Sequence, residues 1–284
     1  MGKFILSPFT PLFFINRKSD GIESDYMQIF SINDRILIQI IETGTDGSMF
    51  RKTNGDYISI ETSGEILCNI EWNRWIMNDN TIIWFAELCF NPGIFSVTLS
   101  GFGKSEPFQV TDDEKILCGT TLIQYTSKSN RYRNDVVFFV DGMQYYFSWR
   151  VPGGFKDSGW TFSAESNQFL TQGSDIVQLS GSDSTQKVFT LGYSEGIPIW
   201  YGELLNRILT CTHVYFDGKR YSRKDTSVPE VNQQLEGINA FVFTQLLQHA
   251  TSIDAQLEDS NHIILREIQD GLYRISESAK FRTI

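Results

Sequence analysis

The residues best placed to do chemistry surround a serine between two glycines, in the stretch TLGYSEGIPIWYGELLNRIL at 190–209. Gly192, Ser194 and Gly196 form a Gly-x-Ser-x-Gly match. In serine hydrolases such a turn joins a strand to a helix and presents the serine hydroxyl as a nucleophile. The apolar KVFTL at 187–191 predicts the strand, and a helical pattern follows the turn. A serine hydrolase is therefore one hypothesis.

A nucleophilic serine also needs a histidine base and an acid that orients it. The chain order allows Asp225 or Asp254 as the acid, followed by His249 or His262 as the base. The third histidine, His213, falls in a predicted hairpin strand. With three histidines in the chain, this order arises easily by chance, so it supports the hydrolase hypothesis only weakly.

Pro198 argues for a structural interpretation of the same stretch. Proline biases the preceding residue, Ile197, away from helical backbone and is itself well placed at the start of a helix. The helix is therefore predicted at about 198–209 and does not begin directly behind Ser194, as a nucleophile elbow requires.

That helix has one apolar face. Its spacing places five residues together, namely Ile197, Tyr201, Leu204, Leu205 and Ile208. Glu203 and Arg207 form an i, i+4 pair on the flank. The pattern predicts a single amphipathic helix that packs on a sheet, with the two glycines serving the turn.

Other catalytic chemistry has little support. Glu71 and Glu87 lie on predicted strands and are the candidates for a glycosidase carboxylate pair. Trp72, Trp75 and Trp84 would suit stacking on sugar rings, although aromatic residues in strands more often belong to a core. No Walker A or dinucleotide-binding motif is present, so no cofactor is expected.

The cysteines predict neither a metal site nor a disulfide framework. They are Cys68, Cys89, Cys118 and Cys211, and none has C-x-x-C spacing. Because they lie in or beside apolar stretches, we expect buried free thiols and no bound metal.

The charge of the chain argues against nucleic acid as a partner. The formal net charge is −10, whereas binding to phosphates needs a basic face. The basic groups around 128–133 and 219–224 fall at predicted turns, where solvated loops are expected. No apolar run is long enough to span a membrane, and Pro8 and Pro11 interrupt the N-terminal one, so neither a membrane partner nor a signal peptide is expected.

Strand patterns dominate the chain and predict a mainly β fold. They occur at 34–41, 56–62, 65–72, 81–90, 94–100, 120–127, 135–140, 144–151, 212–216 and 219–223. The pattern predicts two antiparallel β-sandwich-like domains with one short packing helix. We place an N-terminal domain at 1–112, a C-terminal domain with the helix at 113–255, and a C-terminal hairpin or tail at 256–284.

Three Asp-Gly pairs predict tight β-hairpins. They are Asp141-Gly142, Asp217-Gly218 and Asp270-Gly271, which would join strands through two-residue turns. The second turn would place Phe216 beside Lys219. Three such turns in one half of a chain favour antiparallel sheets.

Four stretches of the second half carry a family resemblance. They are TTLIQYTSKSNRYRNDVVF (120–138), FSWRVPGGF (147–155), LGYSEGIPIWYGELLNRIL (191–209) and VYFDGKRYSRKDTSVPE (214–230). Within residues 120–245 the chain resembles uncharacterised virion and tail-module proteins of tailed phages and of prophages of anaerobic gut bacteria. The resemblance implies a tail or baseplate part, similar to distal tail proteins, whose β domains build rings. It implies assembly in the bacterial host cytoplasm and no catalytic residue.

The sequence therefore predicts a non-enzymatic virion structural protein that acts through subunit assembly. Its partners would be further copies of itself and other virion proteins. The candidate contact elements are the N-terminal segment (1–16) and the C-terminal hairpin (262–276), and the alternative is that both complete sheets of their own chain. The alternative is a β-sandwich module of a phage fibre or cell surface that binds a glycan or a protein. A serine hydrolase that uses Ser194 is a remote alternative.

The packing interpretation of the helix predicts that Leu204→Ala is costly and Ser194→Ala is not. Loss of a core leucine side chain should lower the free energy of unfolding by about 2–5 kcal/mol because it leaves a cavity. Chemical denaturation of the two variants measures this difference. A Leu204→Ala variant as stable as the parent chain would rule out the predicted helix face.

Overall fold

The computed structural model describes most of the chain outside several loops and the C-terminal region. The described residues are 3–14, 26–43, 58–62, 65–69, 72–78, 81–99, 101–128, 130, 133, 135–140, 142–157, 160–193, 196–224, 230–233, 240–250, 273–275 and 281–283.

Ten strands in the first part of the chain form two sheets. They are β1 (Lys3–Leu6), β2 (Gln28–Ser31), β3 (Ile36–Thr43), β4 (Ile58–Thr62), β5 (Glu65–Asn69), β6 (Asn73–Asn78), β7 (Thr81–Leu88), β8 (Gly93–Leu99), β9 (Gly103–Lys104) and β10 (Phe108–Thr111). The central sheet has the order β1-β3-β7-β6, and the outer sheet has the order β2-β10-β8-β4-β5, with β9 beside β8. All pairs are antiparallel except β2 with β10.

The central and outer sheets enclose an apolar core. The central sheet contributes alternate residues of β3 and β7, and the outer sheet contributes those of β8 and β10. Phe95, Val97 and Leu99 all point inward, as their alternation predicts. The N-terminal segment also enters this core, through Leu12 and Phe14. Burial of alternate side chains on two facing sheets produces a β-sandwich.

The second part of the chain forms a nine-stranded curled sheet. Its strands are β11 (Thr120–Thr126), β14 (Phe147–Phe155), β15 (Thr161–Leu170), β16 (Ile176–Leu191), β17 (His213–Phe216), β18 (Lys219–Arg220), β19 (Ser222–Arg223), β20 (Glu230–Gln233) and β21 (Phe241–Ala250). The order is β18-β17-β11-β14-β16-β21-β19, with β15 beside β16 and β20 beside β21. Its two ends, β18 and β19, are consecutive in the chain. Tyr221 N donates to Val214 O of β17, and Lys224 N donates to Leu246 O of β21. The segment 219–224 therefore bonds to β17 on one side and to β21 on the other.

Short elements complete the described structure. They are β12 (Phe139–Val140) with β13 (Met143–Gln144), β22 (Tyr273–Ile275) with β23 (Phe281–Thr283), and the helices α1 (Glu114–Leu117) and α2 (Ile199–Ile208). The mainly β class with antiparallel sheets is confirmed. The sequence did not predict α1, a single turn capped by Asp113, whose Oδ1 accepts from Lys115 N at 2.9 Å.

Helix α2 confirms the predicted packing face. Tyr201, Leu204, Leu205 and Ile208 are buried, together with Ile197 just before the helix. They share one core with inward-facing residues of β11, β14, β16, β17 and β21. The helix begins one residue later than predicted, because Pro198 is its N-cap and keeps an extended backbone.

The central sheet is buried on both faces. One face of β3 enters the sandwich core through Ile36, Ile38 and Ile40. On the opposite face, Leu37 of β3 and Phe85 of β7 belong to the core of the curled sheet. A strand that is buried on both sides needs an unbroken apolar run instead of alternation.

Gln39 provides a polar link on that second face. Its Nε2 donates to Val137 O at 2.7 Å, and its Oε1 accepts from Val137 N at 2.8 Å. Gln39 is fully buried. Its side-chain amide provides hydrogen-bond partners for both backbone groups of Val137, as a neighbouring strand would.

An ion pair joins the two parts at another point. Arg150 on β14 contacts Asp34 in two places, Nε to Oδ2 at 2.7 Å and Nη2 to Oδ1 at 3.0 Å. Asp34 is 2% exposed, and its Oδ2 also accepts from Ser31 N at 2.8 Å. The pair bridges the predicted division near residue 112, where the chain passes from β10 through α1 to β11. The division into 1–112, 113–255 and 256–284 stays a prediction, and residues on both sides of 112 share a core.

The N-terminal segment completes the fold of its own chain. Strand β1 pairs with β3, and Phe9 is fully buried. Tyr125 Oη donates to Phe9 O at 2.5 Å, and Arg207 Nη1 donates to Pro8 O at 2.8 Å. The described residues 3–14 thus tie the central sheet to the curled sheet and to α2.

The Asp-Gly turns have the predicted registers where the structure describes them. Phe216 pairs with Lys219. Phe139 pairs with Gln144 around 141–142, but the predicted pairing of 135–140 with the whole of 144–151 is wrong, because residues 147–151 pair with β11. Asp217 and Gly218 both have positive φ, 47° and 77°, as a type I′ turn requires. The third turn, at 270–271, lies outside the described residues, as does 262–269. The described end of the chain pairs β22 with β23.

Gly202 on α2 is required by close packing. A Cβ at this position would lie 2.1 Å from Cε1 of Phe243 on β21, and Phe243 is buried. We predict that Gly202→Ala lowers the free energy of unfolding by about 1–3 kcal/mol despite the higher helix propensity of alanine. Denaturant titration tests this.

Two further variants serve as controls. Gly119→Ala should change stability by less than about 0.5 kcal/mol, because its Cβ would meet only Ile116 O, at 3.8 Å. Phe243→Leu combined with Gly202→Ala should cost less than the sum of the two single changes. Additive losses would contradict the proposed steric origin.

Candidate interaction surface

The glycines of the Gly-x-Ser-x-Gly stretch serve the backbone. Gly192 has φ 101°, and a Cβ there would lie 2.7 Å from Phe241 O. Gly196 has φ 75°, and its Cβ would lie 2.9 Å from the carbonyl carbon of Ala240. Both glycines therefore allow the turn to approach the start of β21, where Ile197 pairs with Phe241. Ser194 itself lies outside the described residues.

The elements around this turn differ from those of a nucleophile elbow. Strand β16 runs antiparallel to both β14 and β21, whereas the elbow belongs to a parallel sheet. The helix begins at Ile199, five residues after Ser194. Strand-turn-helix order is present, but the helix does not follow the serine directly.

Of the histidines and acids in the hydrolase hypothesis, the structure describes His213 and His249. His249 pairs with Thr185 of β16. Thr185 lies six residues before Leu191, where β16 ends and the turn begins, so about 20 Å of strand separates His249 from the turn. Its ring contacts Tyr221 at 5.4 Å between centroids. His213 stacks on Tyr215. Asp225, Asp254 and His262 lie outside the described residues.

The candidates for glycan chemistry are engaged in the fold. Glu87 Oε2 lies 3.4 Å from Arg35 Nη1 in a surface ion pair, and Glu71 lies outside the described residues. Trp84 is buried and donates from Nε1 to Glu42 Oε2 at 2.9 Å. Trp72 and Trp75 are half-buried and pack against apolar cores. These tryptophans belong to cores, which is the common role of aromatic residues in strands.

Among the residues that the structure describes, no group of three or more His, Cys, Asp or Glu side chains is arranged to hold a metal ion. No described helix has the length and apolar character needed to cross a membrane.

The prediction of buried thiols is wrong for two cysteines. Cys89 and Cys118 are free and exposed, whereas Cys211 is a half-buried free thiol. Cys89 follows β7 immediately and points away from the core that Leu88 enters. The side chain of Cys68 lies outside the described part of the chain.

The most prominent surface feature is a hairpin that extends beyond the curled sheet. Residues 184–191 of β16 pair with β21, whereas residues 176–183 have β15 as their only partner among the described residues. We call residues 161–183 the arm. Its two-stranded part, from Ala164 to Leu170 and back, extends about 20 Å past the sheet.

The arm ends in a closed turn. Thr171 N donates to Asp175 O at 2.9 Å, and Ser174 N donates to Thr171 O at 3.0 Å. Thr171 Oγ1 also accepts from Asp175 N at 3.1 Å. These bonds fix the register of the two strands beside the turn, where Leu170 pairs with Ile176.

The end of the arm is apolar and exposed. Five large side chains flank the turn, and the exposed fractions are 58% for Phe169, 64% for Leu170, 68% for Ile176, 43% for Val177 and 64% for Leu179. Leu170 and Ile176 lie on one face of the ribbon, and Phe169 and Val177 on the other, since paired residues share a face. Leu179 is the extra residue of a β-bulge opposite Asn167 and Gln168.

The middle of the arm has the opposite character. Its residues are small or polar and mostly exposed, including Ser166, Asn167, Gln168, Ser180 and Gly181. Residues 161–186 contain three acidic residues and no lysine or arginine. A two-stranded ribbon exposed on both faces is marginally stable by itself in water. An apolar cluster at its end is therefore a surface that burial in a partner would stabilise.

The base of the arm is anchored by aromatic contacts. Lys187 Nζ lies 3.7 Å from the ring centroid of Trp160, a cation–π contact, and Trp160 lies 6.4 Å from Phe162 between centroids. Burial lowers the pKa of Lys187, and the nearby Lys219 adds to this effect. These contacts hold the start of β15 against β16.

Sequence reasoning missed the arm because it did not assign 156–186 to any element. A signal was present: apolar residues cluster on both sides of TQGSD at 171–175, with low-charge polar stretches outside them. The sequence could not show that this hairpin leaves the sheet, because that depends on where β21 ends.

Comparisons with protein-family models, curated proteins and solved structures give no match.

The thiols predict a clear difference in reactivity. Burial raises the pKa of Cys211 to about 11. At pH 8 only about 0.1% of such a thiol is thiolate, so we predict labelling by a disulfide reagent at least about tenfold slower than that of exposed Cys89. The rate for Cys211 should rise about tenfold per pH unit between 8 and 10.

Single-cysteine variants, with the other three cysteines replaced by serine, isolate each rate. Equal rates for Cys89 and Cys211 at pH 8 would contradict the burial of Cys211.

Proposed function

We propose that this chain is a non-enzymatic structural protein that works by assembling with further copies of itself, and that the arm is its main contact element. The observation that carries this proposal is the exposed apolar end of the arm. Monomeric proteins rarely expose contiguous apolar side chains of this size on a projecting element. Burial of Phe169, Leu170 and Ile176 against a partner would remove this surface from water.

The arm replaces the two contact elements expected from the sequence. The described part of the N-terminal segment (1–16) packs within its own chain, where Phe9 and Phe14 are buried. Of the C-terminal hairpin, the described part is β22, which pairs with β23. Neither observation supports a role in subunit contact as directly as the exposed end of β15 and β16.

The place of assembly that we propose is the tail or baseplate of a phage virion. The support is the resemblance of residues 120–245 to virion and tail-module proteins. A rigid β body with a projecting apolar-tipped element suits a part that joins neighbours in a ring or a stack. The formal net charge of −10 agrees with protein partners in preference to nucleic acid.

We predict that the full chain forms an oligomer in solution and that Leu170→Ser with Ile176→Ser reduces it to a monomer. Both side chains are exposed within one chain, so folding should be unaffected and the melting temperature should change little. Light scattering coupled to size exclusion measures the molar mass.

A matched control is Ile76→Ser with Ile94→Ser, which removes two exposed isoleucines of the sandwich, 59% and 51% exposed. This variant should keep the oligomer. A monomeric parent chain at all concentrations, or equal masses for the two double variants, would overturn the proposal.

The virion location needs a separate experiment. Antibody against the chain, applied to particles of a phage that encodes it, should decorate the tail or baseplate in electron micrographs. Purified particles that lack the chain would exclude the location, whatever the oligomeric state. Specific binding on a glycan array, lost on Trp160→Ala, would instead favour a carbohydrate-binding module, because Trp160 is half-exposed at the base of the arm.

A further inference from the structure

One edge of the arm has unused backbone hydrogen-bonding groups. Within the described part of the chain, β15 pairs with β16 alone, so the outer edge of Thr161–Leu170 has no neighbour. This edge is ten residues long, and nearly all of its side chains are exposed. Unpaired backbone groups along such an edge are a template for another strand.

The edge also lacks the features that protect natural edge strands from pairing. Proteins protect edges with lysine, proline, inward-pointing charge, short length or a bulge in the edge strand. Strand β15 contains no lysine, arginine or proline and has one charged residue, Glu165. The bulge of the arm lies in β16, at Leu179, and leaves the β15 edge regular.

We propose, building on the assembly function proposed above, that the occupant of this edge is the β15 strand of a second copy, paired antiparallel about a two-fold axis at Ser166. The axis is perpendicular to the ribbon, so each residue faces a residue on the same face of the second copy. The pairing joins two arms into a four-stranded ribbon. It adds main-chain hydrogen bonds to the contact between the end of one arm, at Leu170, and the base of the other, at Phe162.

The side chains on the Phe162 and Leu170 face of β15 are self-complementary in this register. Phe162 lies opposite the second copy's Leu170, and symmetry repeats the contact at the other end. Ala164 lies opposite the second copy's Gln168, and Glu165 opposite its Asn167. On the face of Phe162 and Leu170, each large exposed apolar residue thus gains an apolar neighbour. On the other face the carboxylate of Glu165 lies opposite an amide, and Phe169 lies opposite the second copy's Ser163.

Other symmetric registers are poorer. An axis at Glu165 would place two carboxylates directly opposite each other, which destabilises a strand pair. An axis at Ala164 would leave Leu170 without a partner residue, and an axis at Asn167 would leave Phe162 without one. The register centred on Ser166 uses 162–170 completely, so a second copy of this chain fits the edge.

Disulfide trapping tests the register. In a chain with Cys89→Ser and Cys118→Ser, Ser166→Cys should form a covalent dimer under mild oxidation, because directly opposed residues lie about 4.5–5.5 Å apart between Cα atoms. Peptide mass spectrometry should identify the link between the two copies of residue 166. The chain with only the two serine replacements should form no such dimer.

A mixed experiment provides a stricter test. Ala164→Cys and Gln168→Cys should each stay monomeric on oxidation when alone, because the two copies of either residue lie about 13 Å apart in this register. Mixed together, they should form a 164–168 heterodimer. Failure of both the 166–166 and the 164–168 links would overturn the inference. It would also be overturned if Gln168→Cys linked to itself as efficiently as it links to Ala164→Cys.

Charge at the axis provides a readout without cysteines. Ser166→Lys places two ammonium groups opposite each other and should raise the dimer dissociation constant about tenfold, with partial recovery at high salt. Ser166→Thr, a good strand former, should leave the constant unchanged or lower. Sedimentation velocity measures both, and equal constants for the two variants would overturn the inference.

The two proposals fail in different ways. If the parent chain oligomerises and loses this with Leu170→Ser and Ile176→Ser, yet neither cysteine link forms, the assembly function stands and the β15 pairing is wrong. If the parent chain is monomeric at every concentration, both are wrong.

Discussion

Burial of the central sheet on both faces is the constraint on which the rest of the structure depends. One face of β3 and β7 closes the sandwich, and the other supports the curled sheet through Leu37 and Phe85. A strand in this position leaves no side solvated, so a polar residue there needs a full set of partners. Gln39 has them in both hydrogen bonds to Val137. The paired ions of Arg150 and Asp34 extend the same contact, and together these interactions make the two parts of the chain one packed unit.

The curled sheet uses glycine where backbones approach most closely. Gly192 and Gly196 let the turn before α2 contact the start of β21, and Gly202 lets the helix itself contact Phe243. Gly153 serves the same purpose between β14 and β16, where a Cβ would lie 2.6 Å from Thr190 O. The serine motif is thus part of a packing arrangement in which each glycine is required by a neighbouring backbone or ring. Its likeness to a nucleophile elbow comes from that shared need for tight turns.

The arm differs physically from the body that carries it. The body buries apolar side chains on both sides of its sheets, whereas the arm exposes both faces and has apolar residues only at its end and its base. A free ribbon of this kind gains little from its own contacts, so its order in an assembly would come from what it binds. Acidic residues without basic ones keep the isolated arm soluble, and their sparseness in β15 leaves the strand edge accessible.

The sequence by itself determined the features that depend on residues near one another in the chain. Alternation in Phe95, Val97 and Leu99, the Asp217-Gly218 turn and the apolar face of α2 each follow from the geometry of one element, and each appears as predicted. Tertiary structure alone decided the two-sided burial of β3, the exposure of Cys89 and the edge of β15 that has no neighbour among the described residues. These features depend on which distant strands become neighbours. The local sequence of a strand does not indicate whether a sheet continues beside it or ends there.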